Sequence, residues 1–225
     1  MNFTYYGHAC FAVETAGRTF LFDPFITGNP LAKAVDPRSL KADYILVSHG
    51  HQDHLADAVA IANQTGATII AGYEVASWLA KQSARKTHPI NHGSTTFDFG
   101  RLRFVNAIHS SSLPDGSYGG NPGGFVVETG EGSFYYSGDT ALTKDMELIG
   151  ESARLTFAAL CIGGNFTMDI ADAVQAAKFV ACDQIVGLHY DTFPPIRIDH
   201  ALAKQKFQES GKTLHLLKIG ESRKF

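Results

Sequence analysis

Residues 2–6, 11–15 and 19–23 alternate or cluster β-branched and aromatic side chains, and Gly7 and the pair Ala16-Gly17 interrupt them, which predicts a β-meander at the start of the chain. The third of these segments ends in Asp23-Pro24, where proline stops the ladder. Residues 26–43 carry Gly28, Asn29-Pro30 and Asp36-Pro37 and predict an ordered loop with a short helical turn. An apolar run at 44–47 reads as a strand. Helical spacing follows at 55–64, stopped by Gly66, then a short strand at 68–71 and a helix at 74–82 with Val75, Trp78 and Leu79 on one face. Residues 87–100 return to strands around the turn Asn91-His92-Gly93.

From residue 101 the pattern begins again. A strand at 102–108 ends in His109, a hairpin at 124–128 and 132–136 runs into Ser137-Gly138-Asp139, and a buried-type strand at 184–188 ends in His189. Helices are expected at 169–181 and 199–211, and a last strand at 213–219. One arrangement recurs at 49, 109, 139 and 189: an apolar strand followed by a residue able to ligate a metal. Such ends converge when their strands share a sheet rim, because the core fixes the strand and leaves its end free to hold chemistry. Two similar halves, about 1–100 and 101–225, fit an α/β fold as a four-layer αββα sandwich in a single domain over 1–225.

The densest chemistry lies just past the strand at 44–47, where His49, His51, Asp53 and His54 fall within six positions. Extended geometry puts 49 and 51 on one face, and a turn returns 53 and 54 beside them. Imidazole nitrogens joined by a carboxylate suit zinc and its neighbours in a hydrolytic site. Asp23 has two readings: a carboxylate that fixes the tautomer of a metal-bound histidine, or a turn-initiating Asp-Pro. His8 likewise reads either as a group that binds substrate or protonates a leaving group, or as a buried histidine satisfied by hydrogen bonds. His88 and His92 lack partners at ligand spacing and read as surface residues. Asn165 and Thr167, beside a glycine pair, offer polar groups to the site. The Gly-, Ser- and Pro-rich stretch 110–123 reads as a flexible lid or substrate loop, or else as a disordered connector.

With these residues in place, the chain resembles the hydrolases of the metallo-β-lactamase fold superfamily. Gly7-His8-Ala9-Cys10-Phe11 and Ser137-Gly138-Asp139-Thr140 make it most similar to the small branch related to L-ascorbate-6-phosphate lactonase. Carried over position by position, the resemblance implies that His49, His51 and His109 hold one metal, that Asp53, His54 and His189 hold a second, and that Asp139 bridges them. It implies two divalent cations, foremost Zn2+, with Mn2+, Fe2+ and Ni2+ also accepted by such ligands. A hydroxide held between them would attack a small ester, lactone or phosphoester, with Asp53 as proton acceptor and His8 as a second catalytic group. Flavodiiron relatives carry glutamate where His51 stands, and several β-lactamases carry cysteine where Asp139 stands, so redox di-iron chemistry and penicillin-type substrates are disfavoured. A nuclease or phosphodiesterase on the same site and a non-catalytic metal-binding protein are the rival functions.

Composition narrows this further. A net charge of −3 among 225 residues gives no basic face for nucleic acid, so a small-molecule substrate is expected and a nucleic-acid partner is not. Cys10, Cys161 and Cys182 are widely spaced among apolar neighbours and read as core thiols of a reducing compartment, the cytoplasm. No apolar run is long enough to span a membrane. A homo-oligomer is compatible with all of this.

Overall fold

The computed structural model describes residues Met1–Phe225. The first half builds β1 (Asn2–Gly7), β2 (Cys10–Thr15), β3 (Arg18–Phe22), β4 (Tyr44–Val47), β5 (Thr68–Gly72) and β6 (Thr87–Ile90), with helices α1 (Gln52–Leu55), α2 (Ala58–Thr65) and α3 (Tyr73–Lys81). The second builds β7 (Gly93–Phe97), β8 (Gly100–Asn106), β9 (Gly123–Thr129), β10 (Gly132–Tyr136), β11 (Leu155–Cys161), β12 (Gln184–Leu188) and β13 (Thr213–His215), with α4 (Met146–Ser152), α5 (Ile170–Phe179) and α6 (His200–Glu209). A last strand, β14 (Ser222–Lys224), crosses back to pair with β1. The sheet orders are β14-β1-β2-β3-β4-β5-β6 and β13-β12-β11-β10-β9-β8-β7.

Each sheet has an inner face packed on the other sheet and an outer face packed on helices. The inner core takes Phe3, Phe11, Phe20 and Phe22 from the first sheet and Phe125, Phe134, Tyr136 and Phe157 from the second. Phe11 stacks on Phe22 at 4.4 Å between centroids, and Phe134 on Phe157 at 5.0 Å. Truncating a wholly buried ring such as Phe22 to alanine costs about 3–5 kcal/mol in lost transfer energy and cavity. Outside, Ile45, Ile69, Ile61, Val75 and Leu79 join the first sheet to α2 and α3, while Leu160, Ile185, Ala176 and Phe207 join the second to α5 and α6. The layers are α, β, β, α, so the α/β class read from the sequence is the observed one.

Strand direction explains the site. In the first sheet β3, β4 and β5 are parallel, and β1 points the same way because β2 is antiparallel to both its neighbours. In the second, β10, β11 and β12 are parallel, and β8 agrees with them across the antiparallel β9. The strands that end at His8, Asp23, His49, His109, Asp139 and His189 therefore all finish on one rim.

Several elements differ from expectation. The apolar run 155–161 is a central strand, β11, buried like those at 44–47 and 184–188 but followed by no residue able to ligate a metal, and it was not foreseen. The strand foreseen at 213–219 stops at His215, and the chain then turns back across the rim to form β14. The helix expected at 55–64 is α2, which begins at Ala58 and is closed by Gly66 at φ +79°, while α1 is a separate single turn before it. The 110–123 segment is packed rather than a disordered connector, with Leu113 buried in the outer core, Gly119 N donating to Ser111 O at 2.7 Å and Gly50 N to Ser111 Oγ at 3.0 Å, and its first residue, Ser110, lies beside His51 as a substrate loop would. No helix is long and apolar enough to cross a membrane.

Candidate metal centre

The imidazoles and carboxylates on this rim form three overlapping groups whose ligand atoms lie within 4.8 Å of one another: His49, His51 and His109; His8, Asp53, His54 and His189; and Asp23, His49 and His54. Asp139 ties the first two together. Its Oδ2 stands 2.8 Å from His189 Nε2, 3.3 Å from His54 Nε2 and 3.7 Å from His109 Nε2. Asp53 Oδ2 lies 3.9 Å from His54 Nε2 and 4.0 Å from His189 Nε2. All seven residues named as ligands from the sequence, contributed by both sheets, thus share one cluster.

Local backbone conformation aims them. His8, Asp23 and His189 have φ values of +56°, +38° and +56°, in the left-handed region that non-glycine residues rarely occupy and that concentrates at functional sites. Gly138, at φ +59°, brings the turn before Asp139 so close to β9 that an added Cβ would meet Gly123 O at 2.5 Å. The four-residue α1 places Asp53 and His54 in its only turn, directly after His51.

Asp23 fixes two rings at once. Fully buried, its Oδ2 accepts from His54 Nδ1 at 2.7 Å, from Ser48 Oγ at 2.5 Å and from Tyr136 Oη at 2.6 Å, while Oδ1 accepts from Ser48 N at 2.8 Å. His49 Nδ1 donates in turn to Ser48 Oγ at 2.9 Å. Both imidazoles are thereby held with Nδ1 protonated and Nε2 turned toward the cluster, which is how a carboxylate behind a ligand sets its tautomer. Of the two readings of Asp23, the geometry carries the orienting one. Tyr136 and Ser48 were missed as its partners, although Ser48 stands beside the motif in the sequence. His8 Nε2 donates to Asp53 Oδ2 at 3.1 Å, and the Thr192 hydroxyl lies 2.9 Å from His8 Nδ1, so both ring nitrogens are engaged.

Electrostatics prepares the same chemistry. Burial, then the neighbouring imidazoles, lowers the pKa of His49 well below the usual histidine value, and burial is also the main cause of the lowered values of His51 and His109. These rings are neutral near pH 7, the form that ligates a metal. Burial pushes His8 down to about 4. Burial opposes ionisation of Asp139, but His189 and His54 outweigh it and hold the carboxyl well below its usual range. His54 is the exception: burial disfavours its charge, yet Asp139 and Asp23 on either side raise its pKa well above normal.

The residues fit a divalent cation. Asp23, Asp53 and Asp139 have no lysine or arginine within 4.0 Å, and the only ionisable cationic side chains they pair with are histidines. Buried His54 Nε2, His189 Nδ1 and Asp139 Oδ1 find no hydrogen-bond partner. Orphaned buried atoms are costly, about 1–3 kcal/mol each. Mixed imidazole and carboxylate donors are the set that zinc, manganese, iron and nickel accept.

A cleft of roughly 360 Å³ opens on the cluster, lined by His51, Asp53, His109, Ser110, Asp139, Phe166, His189 and Phe193. Phe166 takes the place anticipated for Asn165 and Thr167, neither of which lines the cleft. His88 packs on Phe97 and His92 on Phe104, both away from the cluster.

An αββα sandwich with this rim has the build of a metallo-β-lactamase-type enzyme, and the family described as Beta-lactamase superfamily domain matches residues 18–190. Igni18, a metallo hydrolase of the archaeon Ignicoccus hospitalis, superposes with a TM-score of 0.89 at 33% identity, covering 100% of this chain and 98% of that one. An isothiocyanate hydrolase from Delia radicum gut bacteria shares the fold, with a TM-score of 0.81 at 20% identity over 100% of this chain and 99% of its own. A protein of Flavobacterium johnsoniae named UPF0173 metal-dependent hydrolase is 53% identical over 223 residues, 99% of each chain. At that level of likeness over its full length, the chain belongs to the UPF0173 metal-dependent hydrolase family. These likenesses reach the family and not the ascorbate-phosphate lactonase branch.

Proposed function

We propose that this chain hydrolyses a small ester or lactone at a binuclear site, with His49, His51 and His109 holding one divalent cation, Asp53, His54 and His189 the other, and Asp139 between them. The observation that carries this reading is the position of Asp139 Oδ2, against Nε2 of His54, His109 and His189, imidazoles that come from three separate stretches of chain and from both proposed sets. A carboxylate has two oxygens for two cations, where an imidazole offers each cation a different and oppositely directed nitrogen. Zinc is the cation that this donor set suits first.

The bound cations would supply Lewis acidity and a water of lowered pKa. The chain's own residues do the rest. Asp53, about one third exposed at the cleft, faces entering water and accepts its proton. His8 holds Asp53 in place through Nε2 and is itself held by Thr192. The water oxygen bonds to the acyl carbon, the acyl–oxygen bond breaks, and the proton goes to the leaving oxygen. Phe193, whose ring lies 5.5 Å from that of His8, excludes bulk water from one side. Free, buried Cys10, Cys161 and Cys182 support the cytoplasm as its compartment.

The test is elemental analysis of purified protein beside ester and lactone hydrolysis before and after chelation. Activity lost on chelation and restored by divalent metal is expected. Undiminished turnover by metal-free protein would refute the proposal.

A further inference from the structure

The cleft divides into two kinds of lining. Five of its eight residues, His51, Asp53, His109, Asp139 and His189, belong to the proposed ligand set, which leaves Ser110, Phe166 and Phe193 for the part of the substrate that does not react. Those three offer two phenyl rings and a single hydroxyl, and no lysine or arginine lines the cleft.

Phe166 is not exposed by accident. Its side chain is among the large apolar groups left to solvent, 56% exposed, although burial of such a ring is worth about 1.5–3 kcal/mol. A rigid turn holds it there. Gly164 and Asn165 adopt φ values of +69° and +57°, Phe166 N donates to Gly164 O at 2.6 Å, and Met168 N donates to Thr140 O at 2.9 Å, which anchors the turn to the residue after Asp139. On the other wall Phe193 is set by the Pro194–Ile196 turn and packs 6.5 Å from Phe25. Ser110 Oγ, 3.2 Å from His51 Nε2, is the one hydrogen-bonding group not in the ligand set.

We infer that the site selects substrates whose non-reacting portion is uncharged and apolar, an aryl or alkyl ester or lactone, and discriminates against esters that carry a phosphate or carboxylate away from the scissile bond. The cations lie among the carboxylates that would hold them, and the part of the cleft lined by Ser110, Phe166 and Phe193 offers a remote anion two phenyl rings and no lysine or arginine, so the anion gives up hydration there without a side-chain counter-ion. A phosphorylated lactone falls in the rejected class. This inference rests on the hydrolase reading above and names its substrate class.

The experiment compares methyl para-acetoxybenzoate with its free acid, para-acetoxybenzoate, which share the acyl group and differ by one remote charge, each rate divided by its uncatalysed rate. Metal-loaded protein should turn over the neutral ester with kcat/KM at least about tenfold higher. Phe166→Leu should keep that preference, and Phe166→Lys should narrow or invert it by giving the anion a partner. In parallel, calorimetry compares binding of the unreactive amides methyl para-acetamidobenzoate and para-acetamidobenzoate, with the neutral one expected to bind more tightly. Equal or better use of the acid, or tighter binding of the anionic amide, overturns the inference. Turnover of neither ester overturns the hydrolase reading, while the binding ratio still decides the inference.

Discussion

The two rims of the sandwich are built from the same strands and carry carboxylates of opposite fate. At the far rim, Asp98 accepts from Arg18 Nη2 at 2.5 Å and from Tyr44 Oη at 2.6 Å, with both ion-pair side chains close to half exposed. Asp98 and Asp43 there share Arg18 as an opposite charge. At the cleft rim Asp23 and Asp139 are buried, Asp53 is partly so, and none of them has a lysine or arginine beside it, only histidines. The first arrangement ties loops together at little net gain, since exposed pairs are screened and entropically costly. The second gathers carboxylates and imidazoles of which His54 Nε2, His189 Nδ1 and Asp139 Oδ1 are buried without a partner, a set of donor atoms fit for a cation. A paired rim is structure; an unresolved rim is a site.

Removing Asp139 should break that contrast most severely. Asp139→Asn is expected to lower kcat/KM by more than about 10³-fold, because Lewis-acid stabilisation is worth several kcal/mol and each 1.36 kcal/mol is a factor of ten. Steady-state kinetics on protein shown by circular dichroism to be folded checks this. Asp23→Asn comes next, with metal affinity expected to fall by about 10–100-fold as His54 and His49 lose their fixed tautomers. Competition with a chromogenic chelator reads it, and unchanged affinity would reduce Asp23 to a structural residue. At the far rim, Asp98→Asn should leave hydrolysis within about twofold of wild type and hardly move the unfolding midpoint. A large loss of activity there would erase the distinction between the rims.

A smaller effect lies away from both. His215 on β13 has its pKa pushed down to about 4, by burial first and then by Arg223 and Lys204. The unfolded chain binds a proton near pH 6.5, about the ordinary histidine value, that the folded chain refuses until about pH 4. Stability contributed above the unfolded pKa is therefore lost as pH falls through this window. His215→Gln should flatten that part of the stability–pH curve relative to wild type, as measured by urea unfolding; parallel curves would contradict the assignment.

The sequence showed the site more plainly than the fold around it, for physical reasons. His49, His51, Asp53 and His54 are adjacent along the chain, and His109, Asp139 and His189 each follow an apolar strand, so strand direction alone brings them near one another. His8 and Asp23 also end strands, yet their roles depend on Thr192, Ser48 and Tyr136, partners set by packing across up to 184 positions of chain. β11 went unread because, unlike the equally buried runs at 44–47 and 184–188, no metal-ligating residue follows it to mark its end. β14 was illegible because its three exposed residues gain their order only by pairing with β1. The 110–123 loop misled because its glycines and serines look flexible by composition, while Ser111 and Leu113 anchor it to the outer core. Phe166 carries no motif at all, and only the turn that exposes it gives it meaning.

The most direct test of the central claim is the metal content of the purified chain after exhaustive dialysis, wild type beside Asp139→Asn. The account predicts about two divalent cations per wild-type chain, in keeping with a two-metal hydrolytic site, and loss of at least one in the variant. Full turnover with one cation or none, or an Asp139→Asn protein that keeps both, would contradict it.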